Sequence, residues 1–284
     1  MRKLTALAIV LSGSAFAAPA MAQDTTPSDY FNGFYIQGAA GLDQIDGDSN
    51  DTLVFDTNGD GAFNNNVNTT TGANAFSPGF CGGNANGPRA AQGCTEDNND
   101  VGYAVRIGAD SRLGGDSPFV VGFLVEGARS ESQDFTTGFS TTPASYTVAR
   151  KLENAVSARG RFGYSPGDGR GLFYVTGGAS YGEIEREFTT SNTANAFTPN
   201  DDSDWQWGWQ AGAGAELMLT RNISVGLEYL FSRYEDDDYS VRVSQGTAPA
   251  TNPFLIGGAG QTDLRTANSD LDIHALRGTI GFHF

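Results

Sequence analysis

Between Trp205 and Leu219 the chain alternates without a break. Trp205, Trp207, Trp209, Ala211, Ala213, Ala215, Leu217 and Leu219 share one face of an extended strand, and Gln206, Gly208, Gln210, Gly212, Gly214 and Glu216 take the other. Side chains of a strand point alternately to its two sides, and an apolar face this long exceeds what a half-buried strand of a soluble sheet presents. It needs an extensive apolar surround, and lipid supplies one economically.

The same split recurs along the chain. Val225, Leu227, Tyr229 and Phe231 oppose Gly226 and Glu228; Val156, Ala158, Phe162 and Tyr164 oppose Arg159 and Arg161; Phe119, Val121, Phe123 and Val125 oppose Gly122 and Glu126. Eight segments read as strands: 33–43, 101–112, 119–128, 155–164, 172–184, 205–219, 223–232 and 271–284. They run from 10 to 15 residues, enough for the roughly nine to eleven that a tilted crossing requires. Connectors 114–118, 165–171 and 220–222 are tight and rich in turn residues, as periplasmic turns are, whereas 45–100, 129–154, 185–204 and 233–270 are long, polar and full of Asn, Asp, Thr and Gly, as extracellular loops are. The expected fold is all-β: an eight-stranded antiparallel up-and-down transmembrane barrel, with ten strands as the alternative if 45–100 hides a hairpin that reaches the membrane.

Aromatic residues sort to the two ends. Tyr30, Phe31, Phe34, Tyr164, Phe173, Phe282 and Phe284 fall at the periplasmic side, and Tyr103, Tyr181, Trp205, Trp207, Phe231 and Tyr234 at the outer side. Two belts of such rings anchor a protein at the headgroup zones.

Arg2 and Lys3 lead an apolar run from Leu4 to Phe16 that is followed by Ala20-Met21-Ala22, the order of a secretory signal peptide. Residues 1–22 are therefore expected to be a leader and 23–284 the barrel. Nothing later approaches the roughly 18 to 20 consecutive apolar residues of a membrane helix. The mean hydropathy of −0.31 resembles that of a soluble protein, because a barrel strand shows lipid only every second residue. Formal charge is −16, and loss of Arg2 and Lys3 leaves 15 basic against 33 acidic residues, a net −18. Nucleic acid is not expected as a partner on that balance. Cys81 and Cys94, close together in a Gly/Asn-rich stretch of an exported chain, are expected to form a loop disulfide.

The chain ends Leu276-x-Gly278-x-Ile280-x-Phe282-x-Phe284. This resembles the C-terminal strand signature that the outer-membrane assembly machinery reads, with Phe282 and Phe284 as the signal. With the leader and the strand count, nearly all of 23–284 resembles the small bacterial outer-membrane barrels, the porin-like group of the membrane domain of outer-membrane protein A and the opacity-type adhesins. The resemblance implies a bacterial outer-membrane location, with lipid and the assembly machinery as partners, and says little about function. No domain follows the last strand and the first loop is unusually long, so cell-wall anchoring is not implied.

Three constellations bear on chemistry. Asp56-x-Asn58-x-Asp60-Gly61 resembles the start of an EF-hand calcium loop, with Asn64 at the ninth position, but Val67 stands where the bidentate glutamate belongs. The choice is between a calcium site and an Asn/Gly/Asp turn cluster, with no other cofactor expected. His274, with Asp272 beside it, lies near the outer rim on the lipid-facing row and has no serine at strand spacing, so no enzyme is expected. Parity turns Arg106, Asp110, Glu126, Arg159, Arg161, Glu216, Glu228 and Arg277 inward, four basic and four acidic groups. An eight-strand bore barely holds side chains, which favours a charge-paired, largely closed lumen. The expected role is that of a structural or loop-presenting surface protein, the alternative a small-solute porin, and more remotely a lipid-modifying enzyme.

Overall fold

The computed structural model describes residues 30–45, 51–114, 117–200, 203–236 and 238–284; the leader expected over 1–22 lies outside them. Eight strands make the barrel: β1 (Gly33–Ile45), β2 (Asp100–Arg112), β3 (Phe119–Ser130), β4 (Ala144–Tyr164), β5 (Gly171–Thr190), β6 (Ser203–Met218), β7 (Ile223–Glu235) and β8 (Asp270–His283). Each pairs antiparallel with its sequence neighbours, and β8 closes the sheet on β1 with Tyr35 opposite His283 and Ile45 opposite Ile273. Apart from one 3₁₀ turn at Ala90–Gln92, regular structure among the described residues is all strand.

Alternation sets the two surfaces. Phe34, Val105, Phe173, Trp207 and Ile280 point outward and are exposed, while Tyr35, Arg106, Arg159 and Leu230 point inward and are buried. Six of the eight strands match the periodicity reading to within three residues at each end. β4 and β5 run far past it, and β4 changes phase on the way. Asn154 pairs with Glu183 but Leu152 pairs with Ile184, so Glu153 is an extra residue, a β-bulge. Below it the inward residues of β4 are odd-numbered, down to Arg161; above it they are even-numbered, as at Arg150 and Leu152.

Above the bulge the connectors fold into a second structure, where the sequence suggested only solvated loops. Segments Ala196–Pro199, Val241–Ser244, Thr262–Thr266 and Leu53–Asp56 form a four-stranded sheet, while Gln133–Ser140 extends the barrel wall and pairs with Gly79–Gly82. Between them lies an apolar core that includes Leu53, Phe55, Phe76, Tyr146, Val241, Phe254 and Leu264. Phe76 sits at its centre, with ring centroids 4.5 Å from Phe55, 5.2 Å from Tyr146 and 5.8 Å from Phe254. Each such side chain contributes about 1.5–3 kcal/mol by leaving water, so this cap has its own driving force. Its Gly79–Gly82 strand pairs within the cap and not in the membrane, and the barrel has eight strands.

The aromatic belts hold with three corrections. Tyr30 and Phe31 are buried inside the periplasmic mouth with Val120, Leu172, Tyr174 and Met218. Phe31 reaches that place through a left-handed backbone, φ 54°. Tyr234 is fully buried in the bore because it is in phase with Glu228 and not with Phe231.

Candidate functional site

The interior is layered. Nearest the periplasmic mouth, Arg161 reaches Asp110 at 2.5 Å and Glu216 at 2.9 Å, and Nε2 of His283 lies 3.1 Å from Glu216 and 3.0 Å from Ser224 Oγ. Next comes a closed ring of four charges. Arg106 contacts Glu126 and Glu228, each at 2.9 Å, and Arg159 contacts the same two at 2.7 and 3.3 Å. Further out, Arg277 meets Asp43 at 3.1 Å and Glu126 at 3.6 Å. All eight charged residues that parity turns inward are buried here. The pairing runs both along the wall, as in Arg106–Glu126 and Arg277–Asp43 on adjacent strands, and across the bore, as in Arg106–Glu228 and Arg161–Glu216.

Neutral groups complete the packing. Tyr174 Oη donates to Glu228 at 2.9 Å, and Gln37 Nε2 donates to Glu216 at 3.2 Å. The Tyr174 ring fits because the facing residue is glycine: a Cβ on Gly214 would stand 2.6 Å from it. At the periplasmic mouth Arg112 donates to the carbonyls of Tyr30, Ser117 and Gly169 and to Ser165 Oγ, tying the entering segment to two turns.

Toward the outside, an apolar layer of Ile45, Leu152, Ile184, Leu271 and Ile273 crosses the bore. Above it lies a second buried ionic group. Arg150 donates to Asp134 at 2.8 Å through Nε, and Arg186 donates to Asp236 at 2.8 Å through Nε. Burial raises the Asp236 carboxyl, against the opposing pull of its arginines. The cap core closes the stack.

Residues missed by the sequence reading fall into two sets. Asp43 and His283 were within reach, since Asp43 is in phase with Gln37 and His283 alternates with Phe282 and Phe284. Asp134, Arg150, Arg186 and Asp236 were not, because all four lie in segments read as loops.

The other candidates are placed as follows. Cys81 and Cys94 are joined by a disulfide in the cap, Cα atoms 6.6 Å apart. Asp56 Oδ1 accepts from the amides of Asn58 and Gly59 and its Oδ2 from Gly61, while Asn58 Nδ2 donates to Asp60 Oδ2 at 3.0 Å. The Ala62 amide and the Asn58 side chain hold the Asp60 carboxyl below the usual range. These oxygens serve the turn, and among the described residues no group of three or more His, Cys, Asp or Glu converges as metal ligands. His274 Nδ1 is 2.6 Å from Tyr229 Oη, and Asp272 pairs with Arg233 at 2.5 Å, both on the outward row. Phe282 and Phe284 are outward and exposed, and the Phe284 amide donates to Phe34 at 2.9 Å.

At the extracellular tip the cap opens into a hollow of about 260 Å³, between the turns 140–144, 191–194 and 252–254, floored by Phe76, Tyr146 and Phe254.

The family described as outer membrane protein beta-barrel domain matches residues 8–284. The chain belongs to that family. As an outer-membrane barrel of this family, it is a protein of the bacterial outer membrane. Solved outer-membrane barrels align with it. The outer membrane protein OprG from Pseudomonas aeruginosa aligns over 92% of this chain and 100% of its own, with a TM-score of 0.50 and 11% identity. Neisserial surface protein A aligns over 89% and 98%, TM-score 0.37, 9% identity. The outer membrane protease OmpT from Escherichia coli aligns over 90% and 98%, TM-score 0.39, 10% identity. No curated protein sequence matches the chain.

Proposed function

We propose that this outer-membrane barrel presents its cap as a recognition surface and that its bore is a salt-bridged core, not a solute path. The observation that carries this reading is the ring of Arg106, Glu126, Arg159 and Glu228, whose side chains have no exposure, between apolar layers on either side. An eight-strand interior holds little beyond side chains. Unpaired charges there cost several kcal/mol each, which makes pairing and filling the stable arrangement. The exposed, folded cap suits recognition, because binding residues concentrate on connectors carried by a rigid scaffold. In this reading the outward rows meet lipid, and Phe282 and Phe284 meet the assembly machinery. No catalysis is assigned, since His274 and Asp272 are each engaged on the outward row.

Planar-bilayer recording of the refolded protein tests it. Traces near baseline are expected, and a steady, large, ion-selective conductance would overturn the closed bore and favour a pore. Cells carrying a cap-deleted chain should lose surface attachment while keeping membrane integrity.

A further inference from the structure

We infer that a hollow at the periplasmic rim, between the β6–β7 turn and the ends of β1 and β8, seats the phosphate headgroup of one membrane phospholipid. The inference rests on the reading that the outward rows meet lipid. The hollow has a volume of about 240 Å³, and its walls include Asn32, Gly33, Phe34, Arg221, Asn222 and Phe284. That is below the roughly 300–1,000 Å³ of sites for drug-sized ligands, so it has room for a headgroup and none for acyl chains. The chains have a surface of their own next to it. Phe34 and Phe284, at 69% and 68%, are the most exposed large apolar side chains among the described residues, and Ile36, Ile280 and Phe282 continue the same outward wall. Exposed rings at the end of such a wall stand at headgroup depth.

The polar half of the hollow supplies what a phosphate diester needs. Arg221 is exposed and takes part in no ion pair among the described residues, and a guanidinium matches a phosphate in charge and offers it two parallel N–H groups. Asn32, also exposed, adds a neutral amide donor. His283, the other titratable side chain at the wall, is turned into the bore, where its Nε2 meets Glu216 and Ser224. The place of Arg221 is set in advance. Thr220 Oγ1 accepts from the amides of Asn222 and Ile223 at 3.2 and 3.0 Å, and Asn222 Nδ2 donates to the His283 carbonyl at 2.7 Å, which clamps the turn to β8. On the other side Gly33 has a φ of 143°, and a Cβ there would stand 2.6 Å from the Phe284 carbonyl oxygen, so glycine lets β1 close the wall against Phe284. A preset site lowers the ordering cost of binding. A phosphate without chains would use Arg221 and leave the open rings beside it idle.

The test uses the refolded full barrel and native mass spectrometry from detergent. Three probes are compared: dioleoylphosphatidylethanolamine; dioleoylglycerol, with the same chains and no phosphate; and glycerophosphoethanolamine, with the headgroup and no chains. Retention of the phospholipid and of neither other probe is expected. Arg221→Gln should lower the retained fraction about tenfold, and Asn32→Asp, which sets a carboxylate in the hollow, provides a second block should the first disturb the turn. Equal retention of dioleoylglycerol, retention of the chain-free headgroup, or phospholipid retention unchanged in both variants overturns the inference. Quenching of the outward Trp205, Trp207 and Trp209 by brominated acyl chains in vesicles checks the wall separately. Quenching without selective retention sinks this inference alone, whereas no quenching sinks the lipid-facing reading beneath it.

Discussion

Arg106 and Glu228 face each other across the barrel, 122 residues apart in sequence, with Nη1 and Nη2 on the two carboxylate oxygens at 2.9 and 3.0 Å. They belong to β2 and β7, which are separated in the sheet by β8 and β1, so this two-point contact is a strut across the bore.

Removing one end of the strut leaves buried positive charge without an equal partner. Glu228→Gln is expected to destabilise the barrel by about 3 kcal/mol, read from urea unfolding in lipid vesicles. Glu216→Gln should cost less, because Arg161 keeps Asp110 at 2.5 Å, whereas Arg106 and Arg159 would be left to share Glu126. Equal stability of Glu228→Gln and the parent would contradict the pairing.

The Cys81–Cys94 bond closes a short loop, a sequence separation of 13, within the cap. Loop closure of this size stabilises by roughly 2–4 kcal/mol, felt mainly where the loop is. Mild reduction should make residues 79–95 sensitive to protease while the heat-modified gel shift of the barrel is unchanged. Loss of the gel shift on reduction would place the bond's effect in the barrel instead.

Phe284 is 68% exposed on the outward row, so it adds little to the folded core. Its deletion should reduce the amount inserted in cells and leave the melting point of detergent-refolded protein within a few degrees of the parent. Undiminished insertion would argue against Phe284 as an assembly signal.

Burial pushes the Asp97 carboxyl up from 3.8 to about 6, against the hydrogen bond that the Phe135 amide donates to it. A folded-state pKa above the unfolded one means that the folded chain holds the proton more tightly. The associated stability is complete below about pH 3.8 and is lost as pH rises through about 6. Exchange protection of residues 94–100 should therefore be higher at pH 4.5 than at pH 7.5. Asp97→Asn should remove that step, and a protection factor rising with pH in the parent would refute the assignment.

The membrane-embedded half of the molecule was legible because lipid imposes a strict period of two, visible at Trp205, Trp207 and Trp209 and again at Val225, Leu227 and Tyr229. The same parity placed Arg106, Glu126, Arg159 and Glu228 in the bore. Which acid meets which arginine was only partly legible: Arg106 and Glu126 are neighbours in register on adjacent strands, but Arg106–Glu228, Arg159–Glu228, Arg161–Asp110 and Arg161–Glu216 join non-adjacent strands, and no sequence spacing encodes the bore's width. The cap was hidden for a different reason. Residues 144–148 are buried on both faces and show no alternation, and its central rings, Phe55, Phe76, Tyr146 and Phe254, come from separate connectors with no common period. Polar Asn, Thr and Gly between them mask a core that only tertiary folding assembles.

The extra residue at Glu153 also matters for anyone who would rebuild this protein. Below it and above it the same strand is written in opposite phase, so the membrane staves and the cap behave as two modules joined by a one-residue frame change. A chimera cut on the membrane side of Glu153 carries the shift with it and can seat the cap on another barrel's regular strands. A cut on the far side leaves the shift behind, turns Arg150 and Leu152 to the outside, and offers the acceptor barrel an inside-out graft.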